Sequence, residues 1–365
     1  MKKNIFELYN LFKQIGYYNG EEALRTQANI FMIWSGKNAG KSFFFKNTLL
    51  TDAYELNYKF VLVFRFQKGK KTKKTKENYF KDEALDIKKI TNGKYSKVFF
   101  RGDNYYYGNI NPKTKKEEYG ELIGHIAYVD CYDDYSSQVF EGVYNVLFEE
   151  FMTGDGYLYD EVYKFEIMLN SILRDRANKA KIIMLANPKS RICPYITEWN
   201  LPFMKTMKPG EIITVERNKK LITVERVKDV ERKDKGRTAI SRKGQQIEAG
   251  EWETGNFPLL PGWQKYDEVY NFVFIYKGVA FQIHCMADDE DLFLYIHNKT
   301  KDIKKDERVI GDINSTSILY TKGFTPLNHN EAKIFELLRT NKIFFSNELT
   351  AADFYNSLET MRMEM

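Results

Sequence analysis

No apolar run in this chain is long enough to span a membrane, and none follows the basic start Met1-Lys2-Lys3-Asn4. A spanning helix needs about 20 such residues, so the expectation is a soluble, intracellular protein with no membrane partner. Cysteine is scarce, with Cys131, Cys193 and Cys285 the three in 365 residues. They are odd in number, far apart and form no C-x-x-C, which argues against a disulfide frame or a zinc site and for free thiols in a reducing compartment. Internal repeats are absent. Neither sign of charge dominates: 56 basic against 50 acidic residues leave +6, compatible with a nucleic-acid partner but no argument for one. What the chain does hold is 43% hydrophobic residues and 15% aromatics, enough for sizeable cores. Its length favours two domains.

The first chemical signal is Ile30-Phe31-Met32-Ile33-Trp34-Ser35-Gly36-Lys37-Asn38-Ala39-Gly40-Lys41-Ser42. An apolar run that reads as a buried strand empties into a loop of small residues. A helical pattern follows through Phe43, Phe44, Phe45 and Leu49. That order is the context of a phosphate-binding P-loop. Backbone N–H groups from Ser35 to Gly40 and the positive end of the helix would wrap phosphates. Lys41 would reach the β/γ-phosphates of ATP, and the Ser42 hydroxyl would hold Mg²⁺. One position departs from G-x-x-x-x-G-K-[ST], because Ser35 stands where the first glycine belongs. Serine still lets the backbone approach, so the segment reads as a variant.

Upstream, residues 4–26 read as a helix broken at Gly16. Phe12-Lys13-Gln14 lies where many such enzymes hold adenine, although one face of an ordinary amphipathic helix is the better account. Downstream, Lys59 to Arg65 reads as a second buried strand. Then comes a lysine run, Lys68, Lys70, Lys71, Lys73, Lys74 and Lys76, uninterrupted by apolar residues and expected to be an exposed loop. It is either a solvated charge run or a contact for nucleic-acid phosphates, with Lys70, Lys71, Lys73 and Lys74 the candidates. A hairpin is expected around Gly102-Asp103, inserted into the core.

Val143 to Phe151 supplies the other half of a nucleotide site, an apolar strand ending in Glu149 and Glu150. At the carboxyl end of a parallel strand one carboxylate can hold Mg²⁺ and the other can orient an attacking water. A helix from about Asp160 to Arg176 precedes another buried strand, Lys181 to Ala186. Asn187 then falls beside the acids, placed to sense the γ-phosphate, unless it serves as a turn-former before Pro188. Charge-dense residues 214–250 read as a linker with little core. Strand signals at 269–276, 279–284 and 292–296, then helices near 329–340 and 348–362, complete the chain. The expected division is 1–213, a linker over 214–255, and 256–365.

The succession of Trp34 to Ser42, Val146 to Phe151, Ile172-Leu173-Arg174-Asp175-Arg176 and Met184 to Asn187 resembles the DNA-packaging ATPases of small short-tailed, protein-primed phages. These are the phi-twenty-nine group, related to large terminases, and the likeness spans most of the chain. It implies an α/β fold: a RecA-like (ASCE) ATPase domain followed by a smaller α+β domain with an RNase H-like, vestigial nuclease fold. It further implies a homopentameric ring at the phage portal, in the host cytoplasm, that drives double-stranded DNA into the head, with a packaging RNA as a further partner. Carried over, Glu149 stands at the metal-associated aspartate, Glu150 at the catalytic glutamate and Arg174 at the arginine finger acting on a neighbour's ATP. Lys37 replaces an arginine typical of the family, keeping the charge but not the fork. Tyr270 to Tyr276 and Val279 to His284 carry no carboxylates, so the tail domain reads as a nuclease fold without nuclease chemistry. Two alternatives stand beside this: a large terminase with an active nuclease, and a P-loop ATPase that remodels protein without moving DNA.

Overall fold

The computed structural model describes residues 3–67, 76–82, 85–154, 156–228, 239–252, 257–289, 291–311, 317, 319–322, 329–340 and 342–364. Helices α1 (Lys3–Gln14) and α2 (Glu21–Arg25) precede β1 (Ile30–Trp34) and α3 (Lys41–Leu56). Next come β2 (Lys59–Phe64), β3 (Lys97–Arg101), β4 (Asn104–Ile110), β5 (Glu117–Tyr128) and β6 (Val143–Glu149). Helix α4 (Glu161–Leu173), β7 (Lys181–Ala186), β8 (Ile212–Arg217) and β9 (Lys220–Arg226) complete a nine-stranded sheet in the order β3-β4-β5-β2-β6-β7-β1-β9-β8.

The pairs from β5 through β2, β6, β7 and β1 to β9 are all parallel. Such strands are covered on both faces, which is why β1 reads as an unbroken apolar run. Alternation divides its side chains: Met32 and Trp34 join the core under α4, while Phe31 and Ile33 join the core with α1 and α3. The expected hairpin forms as β3 and β4, added antiparallel at one edge. Phe12 is buried against Phe43 and Phe44, so it belongs to this core and not to a base-binding site.

Residues 214–226 differ from the linker expected there. β8 and β9 form an antiparallel pair, and β9 lies parallel beside β1, directly under the P-loop. Ile222 and Val224 are buried in the α4-side core. Helix α5 (Arg242–Ala249) also falls within the linker expected over 214–255, and it packs against the P-loop.

A second sheet of six strands has the order β14-β13-β10-β11-β12-β15. β10 (Asp267–Tyr276), β11 (Val279–Asp288) and β12 (Asp291–Asn298) form an antiparallel meander. β13 (Val309–Gly311) and β14 (Tyr320–Lys322) add parallel on one side, and β15 (Ile343–Phe345) on the other. Helices α6 (His329–Arg339) and α7 (Glu348–Glu364) cover one face, where Ile334, Leu337, Ala351 and Phe354 meet Phe274, Phe281 and Ile283. β10 begins earlier than the sequence suggested, so Asp267 and Glu268 belong to it.

Candidate nucleotide site

The loop from Ser35 to Gly40 leaves β1 at the carboxyl edge of the sheet and turns into α3 through two left-handed residues, Asn38 (φ 64°) and Gly40 (φ 91°). Glycine suits the second for a steric reason as well: a Cβ there would come within 2.3 Å of the Tyr17 ring. At Gly36 a Cβ would meet the Glu248 carbonyl at 2.3 Å, because α5 lies directly behind the loop. The Lys37 N–H donates to the Ile247 carbonyl at 3.1 Å, fixing that contact.

Lys41 opens α3 but its ammonium turns back into the loop. It donates to Ser35 Oγ at 2.5 Å, to the Gly36 carbonyl at 3.3 Å and to Asn187 Oδ1 at 3.3 Å. Ser35 thus does more than replace glycine, since its hydroxyl receives the lysine. Burial pushes the Lys41 pKa down to about 7, partly offset by the charge of Glu149. A lysine so desolvated, with only neutral oxygens as partners, is poised for an anion.

Glu149 ends β6 and Glu150 follows in the left-handed region at φ 61°. Successive strand residues point to opposite faces. The turn at Glu150 breaks that alternation, and both carboxylates line the same cleft. A left-handed glutamate costs about 1–2 kcal/mol, so the surroundings must hold it. Glu149 Oε1 is buried and makes no hydrogen bond at ordinary distance, although the Tyr79 hydroxyl, equally unpaired, interacts with its carboxylate. Glu149 and Ser42 line the same cleft, and a carboxylate with a hydroxyl is a donor set that suits a hard divalent cation such as Mg²⁺.

The cleft, about 500 Å³, is lined by Lys37 to Phe43, Glu149, Glu150, Ala186, Asn187 and Tyr17. Tyr17, adjoining Phe43 at 5.7 Å between ring centres, was not singled out from the sequence. Arg174 is not part of the cleft. It lies beyond the end of α4, donating to the Gln138 carbonyl at 2.9 Å, near the amino ends of β6 and β7. The six-residue length of β7, roughly 20 Å, separates it from its own Lys41. Lys70, Lys71, Lys73 and Lys74 fall outside the described residues. Lys76, at the end of the run, is buried against the Tyr128 ring and not exposed as expected.

Sequence reading also missed a buried pair beside the acids. Arg65, one residue past β2, binds Glu161 on α4 through Nε–Oε2 (2.7 Å) and Nη2–Oε1 (3.0 Å). Its remaining N–H groups donate to the Glu150 and Phe151 carbonyls at 3.3 Å. The partners are 96 residues apart, a separation at which one sequence gives no pairing signal.

Neither a protein-family profile nor a curated protein matches the sequence. Two solved structures share its fold over nearly the whole chain. The bacteriophage Phi-29 viral genome packaging motor assembly superposes with a TM-score of 0.59 at 16% identity, covering 95% of this chain and 99% of that one. The Phi-28 gp11 DNA packaging motor gives 0.52 at 15% identity, covering 96% and 99%. At such identities the likeness is one of fold, and at that level the resemblance read from the motifs is borne out.

Proposed function

We propose that this chain is the ATPase of a phage DNA-packaging motor, hydrolysing ATP to drive double-stranded viral DNA through a portal into the head. The observation that carries the reading is the convergence of Lys41, Ser42, Glu149, Glu150 and Asn187 on one cleft, in a chain with the fold of such motors from end to end. In the hydrolytic step a water oxygen attacks the γ-phosphorus while the bond from that phosphorus to the β,γ-bridging oxygen breaks, leaving ADP and phosphate. Glu150 orients the water and takes its proton. Lys41 leaves its loop oxygens for the phosphates, which releases Asn187, so the asparagine can report occupancy to β7. Ser42 and Glu149 would hold Mg²⁺, whose charge offsets that of the phosphates.

Arg174 cannot reach its own cleft, which supports action in trans on a neighbouring copy in a homopentameric ring. The lysine run, Lys70 to Lys74, is the candidate DNA grip, and portal and packaging RNA are the further partners, all met in the host cytoplasm. The second domain, a meander extended by parallel strands in the manner of RNase H-like folds, serves contacts and not cutting.

Assays of the purified chain test this. ATP hydrolysis should rise with duplex DNA. Lys41→Ala should lose nucleotide binding, whereas Glu150→Gln should bind ATP and hydrolyse it at least about 10²-fold more slowly. Parental rates in Glu150→Gln would remove the catalytic assignment. Hydrolysis indifferent to DNA and portal would favour a remodelling ATPase instead, and metal-dependent cutting of plasmid DNA would favour an active terminase.

A further inference from the structure

A turn that puts two adjacent glutamates into one cleft needs something to hold it, and the neighbours of Glu150 supply one candidate. Its carbonyl, leaving the sheet with no strand to pair with, accepts from Arg65 at 3.3 Å, as does the carbonyl of Phe151. The guanidinium is itself fixed. Both Glu161 oxygens bind it, and those oxygens also accept from the Tyr195 hydroxyl (3.1 Å) and the Leu158 N–H (3.0 Å). The Arg65 and Glu161 side chains are 10% and 0% exposed, and the guanidinium lies over the Tyr157 ring at 5.1 Å. Burial alone would lower the Arg65 pKa, but the charge and hydrogen bonds of the Glu161 carboxylate outweigh it and hold the pKa above its usual value, so the group stays charged.

A buried ion pair is seldom more stabilising than apolar residues of the same volume. What this pair adds is direction: a rigid planar fork, saturated on one side by a carboxylate and aimed on the other at two consecutive carbonyls. We propose that Arg65, pinned by Glu161, is a positioning residue for hydrolysis, holding the left-handed backbone at Glu150 so that its carboxylate meets the attacking water. The inference rests on the proposed ATPase reading. It gives Glu161 and Tyr195 the role of orienting Arg65, and none of the three lines the cleft.

Arg65→Lys keeps the charge but cannot bond both carboxylate oxygens and both carbonyls at once. Displacing a catalytic group by about 1 Å can cost 10²-fold in rate. The expected result is a kcat about 10- to 100-fold lower, with the affinity for a fluorescent ADP unchanged. In a Glu150→Gln background the same substitution should change the residual rate by less than about twofold, since the group it positions is gone. A merely structural role would slow both backgrounds alike and weaken ADP binding with them; that pattern, or parental kcat in folded Arg65→Lys, overturns the proposal. Where Arg65→Lys does not fold, Tyr195→Phe removes one hydrogen bond to Glu161. A kcat lower by about two- to fivefold at unchanged affinity supports the proposal, and parental kcat overturns it. Failure of the ATPase reading shows separately, as absence of hydrolysis in the parent or full activity in Glu150→Gln.

Discussion

Glu149 at the end of β6 has a buried Oε1 that no cation or N–H among the described residues binds, and the unpaired Tyr79 hydroxyl interacts with its carboxylate. Glu331, on a helix over the second sheet and 1% exposed, has both oxygens on Arg308 (2.6 and 3.2 Å) and accepts from the Tyr270 hydroxyl at 3.2 Å. Other acids near the second sheet follow the latter pattern, Glu307 with Lys299 and Asp353 with Arg191. Among the described residues no three His, Cys, Asp or Glu side chains are placed to share a metal. A buried polar atom without a partner costs stability and persists where something outside the chain completes it. A saturated one stabilises the fold. The same residue type therefore reads as chemistry in the first sheet and as architecture in the second.

Paired substitutions break the comparison most sharply. Glu149→Gln should lower ATP hydrolysis by at least about 10²-fold and leave the thermal midpoint near the parental value, because no hydrogen-bonded ion pair is lost and only the longer-range charge of Glu149 on Lys41 is removed. Glu331→Gln strands a buried guanidinium and should cost about 3–5 kcal/mol, while the ATPase rate of the remaining folded protein persists. Both are read by calorimetry and a phosphate-release assay. A stability loss from Glu149→Gln as large as that from Glu331→Gln would erase the distinction.

The next largest effect concerns Arg174, a charged group of the first domain that has no place in its own cleft. An arginine inserted from a neighbour can be worth roughly 10³–10⁵ in rate. Arg174→Ala should lose that, and mixing it with Lys41→Ala subunits should restore part of the activity, since some sites then combine an intact cleft with an intact finger. Rings shown by native mass measurement to be mixed, yet inactive, would count against action in trans.

What the sequence made legible follows the range of the interactions. The P-loop and its helix are encoded locally, by an apolar run and a loop of small residues, and Glu149 and Glu150 stand at the end of another such run. β8 was lost in a charged stretch because it is an edge strand, half exposed, whose Glu216 and Arg217 resemble a linker. α5 supports the loop through backbone, the Ile247 carbonyl and the space left by Gly36, which side-chain patterning does not record. The left-handed turn at Glu150 and its Arg65 clamp depend on residues brought together by the parallel crossovers. No local pattern marks them.

A smaller effect tests Lys70, Lys71, Lys73 and Lys74, which lie outside the described residues. Replacing Lys70, Lys71, Lys73 and Lys74 by glutamine should weaken duplex binding equally across sequences. It should also flatten the slope of log K against log salt by about 0.9 per lost phosphate contact. Basal hydrolysis should persist. An unchanged slope would leave the run a solvated loop.

The smallest effect comes from an acid of the first sheet that lies between the two patterns. Glu225 on β9 is buried and accepts a bond from the Tyr18 hydroxyl at 2.6 Å, and among the described residues no cation pairs with it. Burial raises its pKa to about 7, against 4.5 for the unperturbed group, with the Tyr18 bond opposing. Between those values the folded state holds the proton that the unfolded state has released. Its contribution is therefore fully present below about pH 4.5 and lost as pH rises through about 7. Glu225→Gln keeps an oxygen for Tyr18 and has no proton to lose. The variant should match the parent at pH 4.5 and be more stable at pH 8, by on the order of 1–3 kcal/mol. Thermal unfolding of both proteins at the two pH values measures the gap, and a gap independent of pH would place Glu225 with the paired acids of the second sheet.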